Sequence, residues 1–213
     1  MKGIKFGNFH SWDDFSLILG SKEMETPSVK TEIVEIPGAD GALDLTEYFG
    51  EPKYGNRKLK FNFSTKVPQS QFLELFTNIQ SKLHGQKMNI VLDDDSEFYY
   101  VGRIFVSAFE NEKSVGKISI ECDCEPFKYK KELTSISSIL NGSVNFNFRN
   151  LRKSVIPTIT VTGETTIIFD NSTFVLSAGT YSDERILFTE GNNPMTATGE
   201  NVTFTVEYRE GTL

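Results

Sequence analysis

The stretch LKFNFS, residues 59–64, alternates without a fault. Leu59, Phe61 and Phe63 fall on one face and Lys60, Asn62 and Ser64 on the other. Successive side chains of a strand point to opposite faces, so this period of two marks a strand with one buried and one wet side. It restricts the chain to layered architectures, in which a sheet is covered by a second sheet or by a helix. The same texture returns in MNIVL, EFYYVGRIFVSAF and KISIECDC, which are joined by acidic turns. Eighteen Phe and seven Tyr against a single Trp agree with it, because flat, bulky side chains suit a pleated surface.

One segment breaks the period. In PQSQFLELFTNIQSKLHGQK the apolar residues Phe72, Leu75, Phe76, Ile79 and Leu83 recur at helical spacing and form one stripe. The spacing predicts a helix over 69–84, with Gly85 in the left-handed conformation that ends it. Such a helix lies on a sheet.

From Glu125 the texture changes. EPFKYKKELTSISSILNGS carries Pro, Lys and Ser in place of alternating hydrophobes, which predicts a boundary near residues 126–140. The reading is an N-terminal β domain over 1–130, a linker over 131–139 and a C-terminal domain over 140–213. In the last part VNFNF, TITVT, TIIFD, TFVLS, RILFT and VTFTVEY follow one another between Asn-Gly, Gly-Glu, Asp-Asn, Ala-Gly and Gly-Asn-Asn turns, the pattern of a small antiparallel sandwich.

The composition narrows the function. A net charge of −7 over 213 residues, with no dense Lys/Arg run, argues against a grip on phosphate backbones and so against specific nucleic-acid binding. No stretch approaches the roughly 18 to 20 apolar residues that cross a bilayer, and the first twenty residues lack a secretory leader, so the expectation is a protein made in the cytoplasm without membrane insertion. Nucleophilic triads need a histidine, and the two present, His10 and His84, sit in a polar stretch and at the predicted helix end. Cys122 and Cys124, at i and i+2 of one strand, read as core residues rather than metal ligands. Asp93, Asp94 and Asp95 lack the alternate ligands, glycine and distal Glu of a calcium loop, and read as a solvated turn. No phosphate-cradling loop and no His-Glu-x-x-His motif occurs. The expectation is therefore no catalytic residue, no cofactor and no metal.

The remaining unusual stretch is VEIPGADGALDLTEYFG, residues 34–50, with three glycines and four acidic side chains between apolar neighbours. Pro37-Gly38 suits the central positions of a type II turn and Asp40-Gly41 a second reversal. Asp44 and Glu47 disfavour an anion and are too few for a metal cage. What remains is a shaped arm between strands. Its candidate contact residues are Pro37, Gly38, Asp40, Gly41, Tyr48, Phe49, Tyr54, Asn56 and Arg57, with the aromatics and the arginine as anchors because these types dominate interface hot spots.

Taken together, SWDDFSLIL, TPSVKTEIVEIPGADGALDLTEYFGEPKYGNRKLKFNF, LHGQKMNIVLDDDSEFYYVGRI and the closing ENVTFTVEYRE carry a resemblance. The sequence is similar to the distal tail proteins of long, flexible-tailed phages and prophages of Gram-positive bacteria. The resemblance implies an N-terminal β-sandwich or barrel-like domain with one packed helix, six copies of which close into a ring at the tail tip. It implies a C-terminal galectin-like β-sandwich projecting outward. The implied partners are further copies of the chain, the tail tube protein above, and tail-tip or receptor-binding proteins below; the implied location is the tip of the virion tail. A carbohydrate-binding module acting in host recognition is the alternative, motivated by Phe146, Phe148, Phe174, Tyr181 and Tyr208. The alternation of V-x-F-x-F and V-x-F-x-V-x-Y, however, turns most of those rings inward.

Overall fold

The computed structural model describes residues 2–48, 50–112 and 115–213, with side chains described at all of these except 108, 109, 111 and 112. The chain divides into two compact units, Met1–Pro126 and Phe127–Leu213, and is mainly β throughout.

The first unit opens with β1 (Ile4–Phe6), β2 (Phe9–His10) and β3 (Leu17–Met24). An excursion follows, carrying β4 (Val29–Lys30), β5 (Ile33–Glu35), β6 (Ala42–Asp44) and β7 (Lys53–Tyr54). The chain then returns as β8 (Arg57–Thr65), makes a 3-10 turn over Gln69–Gln71 and the helix α1 (Phe72–Leu83), and finishes with β9 (Lys87–Leu92), β10 (Phe98–Glu112) and β11 (Val115–Lys130). The sheet order is β2-β1-β9-β10-β11-β8-β3. Leu59, Phe61 and Phe63 are buried as their alternation requires, and they pack with Ile4, Phe6, Ile118 and Ile120. Helix α1 lies against β10. Phe72, Ile79 and Leu83 are its buried stripe, and Gly85 takes a φ of +78° just beyond it.

Cys122 and Cys124 point into this core as free thiols, and burial pushes the Cys124 thiol up to about 12. They are packing groups, inert as nucleophiles. Gly102 of β10 is required opposite them, because a Cβ there would stand 2.5 Å from the Cys124 sulfur.

The second unit contains the end of β11, then β12 (Thr134–Asn150), β13 (Thr158–Val161), β14 (Thr165–Phe169), β15 (Ser172–Leu176), β16 (Gly179–Tyr181), β17 (Gly191–Tyr208) and β18 (Gly211–Thr212). Strand β17 organises it. One edge pairs with β12 along nearly its whole length, while the other pairs with β14 over Met195–Thr198 and with β13 over Phe204–Glu207. A single strand thus serves two parts of the sheet, and the ribbon it makes with β12 folds back so that Phe146 reaches Phe204 at 5.2 Å.

Turning that corner needs a change of phase. Leu140 pairs with Val202 and Asn141 with Glu200, which leaves Asn201 as the extra residue of a bulge. Asn201 adopts a φ of +53°, and its N–H donates to Asn141 Oδ1 at 3.2 Å. Buried residues are odd-numbered before the bulge (Met195, Ala197) and even-numbered after it (Val202, Phe204, Val206, Tyr208), so both halves aim their apolar side chains at one core.

Two expectations are corrected here. The linker predicted over 131–139 is taken up from Thr134 by β12, because Thr134–Leu140 pairs with Val202–Tyr208; Ser135 and Ser137 lie on the wet face of that strand, where they bond Glu207 and Thr205. RILFT, expected as a strand, forms only the bridge between Val155 and Phe188, with Ile186 and Phe188 plugged into the core. The chain end is fastened by Glu210, whose buried carboxylate accepts from Lys130 Nζ at 2.5 Å and from the Thr134 hydroxyl at 2.7 Å. Lys128 and Tyr129 are themselves paired with β18.

The bulge yields a prediction. Asn201→Val places a β-branched residue at positive φ and lowers the stability of the second unit by about 1 to 3 kcal/mol, whereas Asn201→Gly stays within about 0.5 kcal/mol of the parent. Urea unfolding followed by a probe in that unit measures both.

Candidate functional site, an exposed arm between two core strands

Residues 25–56 leave the sheet at the end of β3 and rejoin it at β8. They form two short antiparallel ribbons. Nearer the sheet, β4 and β7 pair Val29 with Tyr54 and Lys30 with Lys53. Further out, β5 and β6 pair Ile33 with Asp44, Val34 with Leu43 and Glu35 with Ala42.

Local chemistry shapes the outer ribbon. Pro37 and Gly38 occupy the centre of a turn closed by Ala39 N–H donating to the Ile36 carbonyl at 3.1 Å, and Gly38 supplies the φ of +83° that a type II turn demands. Thr46 knots the base. Its hydroxyl accepts the Glu32 N–H at 3.1 Å, and its own N–H donates to Asp44 Oδ1 at 2.9 Å. The bonds from the Thr46 hydroxyl and N–H hold the exposed Asp44 carboxyl below its ordinary value of 3.8.

All six residues of β5 and β6 are exposed on both faces of the ribbon. Ile33 is 58% exposed and Tyr48 72%, and Val34, Ile36 and Leu43 are exposed with them. A two-stranded ribbon is marginal by itself in water, and this one shows contiguous apolar side chains on an excursion away from its own core. Surfaces of that composition are the kind that partners cover. Between Thr26 and Asn56 six carboxylates stand against two lysines, so the surface is acidic as well as apolar.

The sequence-derived contact residues fall into three groups. Pro37, Gly38, Asp40 and Gly41 lie at the exposed tip, and Tyr48 stands exposed on the returning limb. Tyr54 is half-buried in β7, and Asn56 Nδ2 donates to Asp123 Oδ1 at 3.0 Å, which ties the root to β11. Phe49 lies outside the described residues.

Arg57 is a correction. It is 7% exposed, its Nε donates to the Glu25 carbonyl at 3.1 Å, and its guanidinium sits 5.5 Å from the centre of the Tyr100 ring. It joins the residue where the chain leaves the sheet to the residue where it returns, and so fastens the root instead of reaching outward. Ile33, Val34 and Ile36 are exposed on the arm although the sequence does not single them out. Apolar side chains read as core by default, and only their setting among glycines and carboxylates hinted otherwise.

Elsewhere the described residues hold no group of three or more side chains fit to bind a metal. His10 Nε2 lies 3.2 Å from Asp93 Oδ2, which also accepts the Gly3 N–H at 2.7 Å, a contact that joins β1 to the turn after β9. His84 Nδ1 accepts the Val106 N–H at 3.1 Å. In the second unit Phe148, Phe174 and Tyr208 are buried and Phe146 and Tyr181 half-buried against them, so no ring of that set stands out as a sugar platform.

The whole chain shares its fold with the phage protein SPP1 Dit (gp 19.1), described as a paradigm of the hub adsorption apparatus in phages that infect Gram-positive bacteria. The likeness has a TM-score of 0.74 at 15% sequence identity and covers 100% of both chains. No family model and no curated protein matches the sequence. The mainly β fold expected from the sequence resemblance is thus the fold observed. No helix among the described residues is long and apolar enough to cross a membrane.

Two predictions concern the arm. Because its pKa is depressed, Asp44 contributes stability to the arm above its unfolded value and loses it as pH falls through the folded one; Thr46→Val removes the larger cause, the hydroxyl's bond, leaves the backbone N–H bond, and moves the Asp44 titration part of the way back toward 3.8, as NMR of the carboxyl carbon measures. Arg57→Ala removes the tie at the root and lowers stability by about 1 to 3 kcal/mol, read as a lower melting temperature of the unassembled protein.

Proposed function

We propose that this chain is a structural protein of a phage tail tip. Its copies close head to tail into a six-membered ring that joins the tail tube to the tail-tip and host-adsorption proteins, and the protein is made in the cytoplasm of a bacterial host. The observation that carries this reading is the full-length likeness of fold to SPP1 Dit, a hub protein by its description.

The arm supports the oligomer independently. A ring built from one repeated subunit needs two different, complementary patches on each copy. An acidic, apolar arm projecting from the sheet supplies one of them. In this reading the N-terminal unit forms the ring and the C-terminal sandwich is a docking module for other tail proteins. The inward packing of the C-terminal aromatics gives the carbohydrate-binding alternative no support.

Val34→Asp combined with Leu43→Asp tests the arm. Both side chains are exposed in the single chain, so the stability of its core changes by no more than about 0.5 kcal/mol, while the two carboxylates, directly opposite each other, repel and loosen the ribbon itself. Assembly, alone or on tail tubes, falls by about tenfold or more, since two buried contacts become charged. Light scattering and negative-stain microscopy read the outcome, and normal rings from this double variant refute the role given to the arm.

A further inference from the structure

We propose that the acceptor for the arm is the patch of a second copy formed by Phe105, Arg103, Lys87 and His84, at the α1 end of strands β9 and β10. The inference rests on the ring reading above and names the second patch which that reading leaves open.

Two requirements follow from the arm's chemistry. An acidic surface with Ile, Val, Leu and Tyr side chains needs a partner that exposes a large apolar group among cations. In a head-to-tail ring that partner must also be a different surface of the same chain. Among the described residues of the first unit, two aromatics outside the arm are exposed, Trp12 and Phe105. Trp12 is followed by the exposed Asp13 and Asp14, which would repel the arm's carboxylates. Lys58 and Lys60 are interleaved with three carboxylates, Glu23, Glu25 and Glu121, and that surface offers no apolar side chain for the arm to cover.

Phe105 has two cations beside it, and the carboxylates of the neighbouring β11, Asp123 and Glu125, are bonded to Asn56 and Lys87. Ile104 and Val106 are buried while Arg103, Phe105 and Ser107 face outward, so Arg103 and Phe105 share the wet face of β10. Lys87 is directly opposite Arg103 in the sheet. His84 packs edge-on against the Phe105 ring at 6.1 Å. Arg103 donates one bond, from Nη1 to the Gly85 carbonyl at 2.6 Å, and no carboxylate among the described residues pairs with it. Lys87 bonds Glu125 at 2.9 Å; Lys87 is exposed and Glu125 half-buried, so solvent weakens the contact. A phenylalanine left 39% exposed beside an unpaired guanidinium is the arrangement that an acidic, apolar arm would cover.

The test places a benzophenone amino acid at 105, and separately at 48, in the full-length protein. The concentrated protein is irradiated and the joined peptides are identified by mass spectrometry. The expected result is intermolecular joining of position 105 to peptides within residues 31–48, and of position 48 to peptides containing 84–105. Joining of 105 to any other surface, or to none, overturns the patch. If position 48 joins a neighbour elsewhere, the ring reading stands while the patch falls; if it joins no neighbour, the arm's role falls too. Arg103→Glu should reduce the 105-to-arm product about tenfold, while the melting temperature falls only by the small amount that loss of the bond to the Gly85 carbonyl costs, as Arg103→Gln shows separately. An undiminished product shows that the cation takes no part and refutes the assignment of Arg103.

Discussion

Period-two alternation holds both cores together, and it tolerates no slip. A strand moved by one residue turns its whole apolar set to water. In the first unit β8 keeps phase from Arg57 to Thr65; β11 pairs with it in one register throughout, and β3 does so with a single shift at Gly20, between Leu19 and Ser21. In the second unit β17 is too long to turn a corner in phase, and Asn201 absorbs the difference. Asparagine suits that position because its short polar side chain tolerates the left-handed region, and its neighbour Asn141 supplies an acceptor for the displaced N–H. The rest of the sandwich follows, since β13 and β14 pair with the same strand on opposite sides of the bulge.

The arm obeys a different rule. Its outer ribbon alternates too, with Val34 and Leu43 on one face and Ile33 and Ala42 on the other, yet neither face finds a core. It is held by turn chemistry at the tip, by Thr46 at the base and by Arg57 and Asn56 at the root. Each of these is a local bond whose net worth is about 1 kcal/mol. The arm's shape is therefore specified while its stability is low, a combination that leaves its final ordering to whatever covers it.

This division explains what the sequence made legible. Alternation and the helical stripe are local patterns, and they predicted β8 to β11, helix α1, Gly85 and the turn at Pro37-Gly38. The bulge at Asn201 was not legible, because GNNPMTATGENVTFTVEY contains the turn signals Gly-Asn-Asn and Thr-Gly-Glu-Asn and reads as two segments until β12 is known to pair with all of it. Ser135 and Ser137 suggest a linker in the sequence for the same reason, since a wet strand face and a loop share a composition. Arg57 was misread because residue type alone favours an arginine at an interface. Its position at the head of β8, in phase with Leu59, was the available sign that it faces inward.

Within the proposed ring, the weakness of each arm is compatible with a firm assembly. A single arm docking on a neighbour orders a marginal ribbon and immobilises exposed side chains, and that entropy offsets much of what the contact gains. Once the chain of contacts closes, the last arm docks without a further loss of translational freedom, and every other contact is held by the closed circle. Pairs and open arcs then remain sparsely populated beside free subunits and finished rings. A stronger arm would stabilise those partial arcs as well and leave incomplete rings trapped. The low local stability of residues 25–56, read from their exposed ribbons, is thus what a closing ring requires of its connecting element.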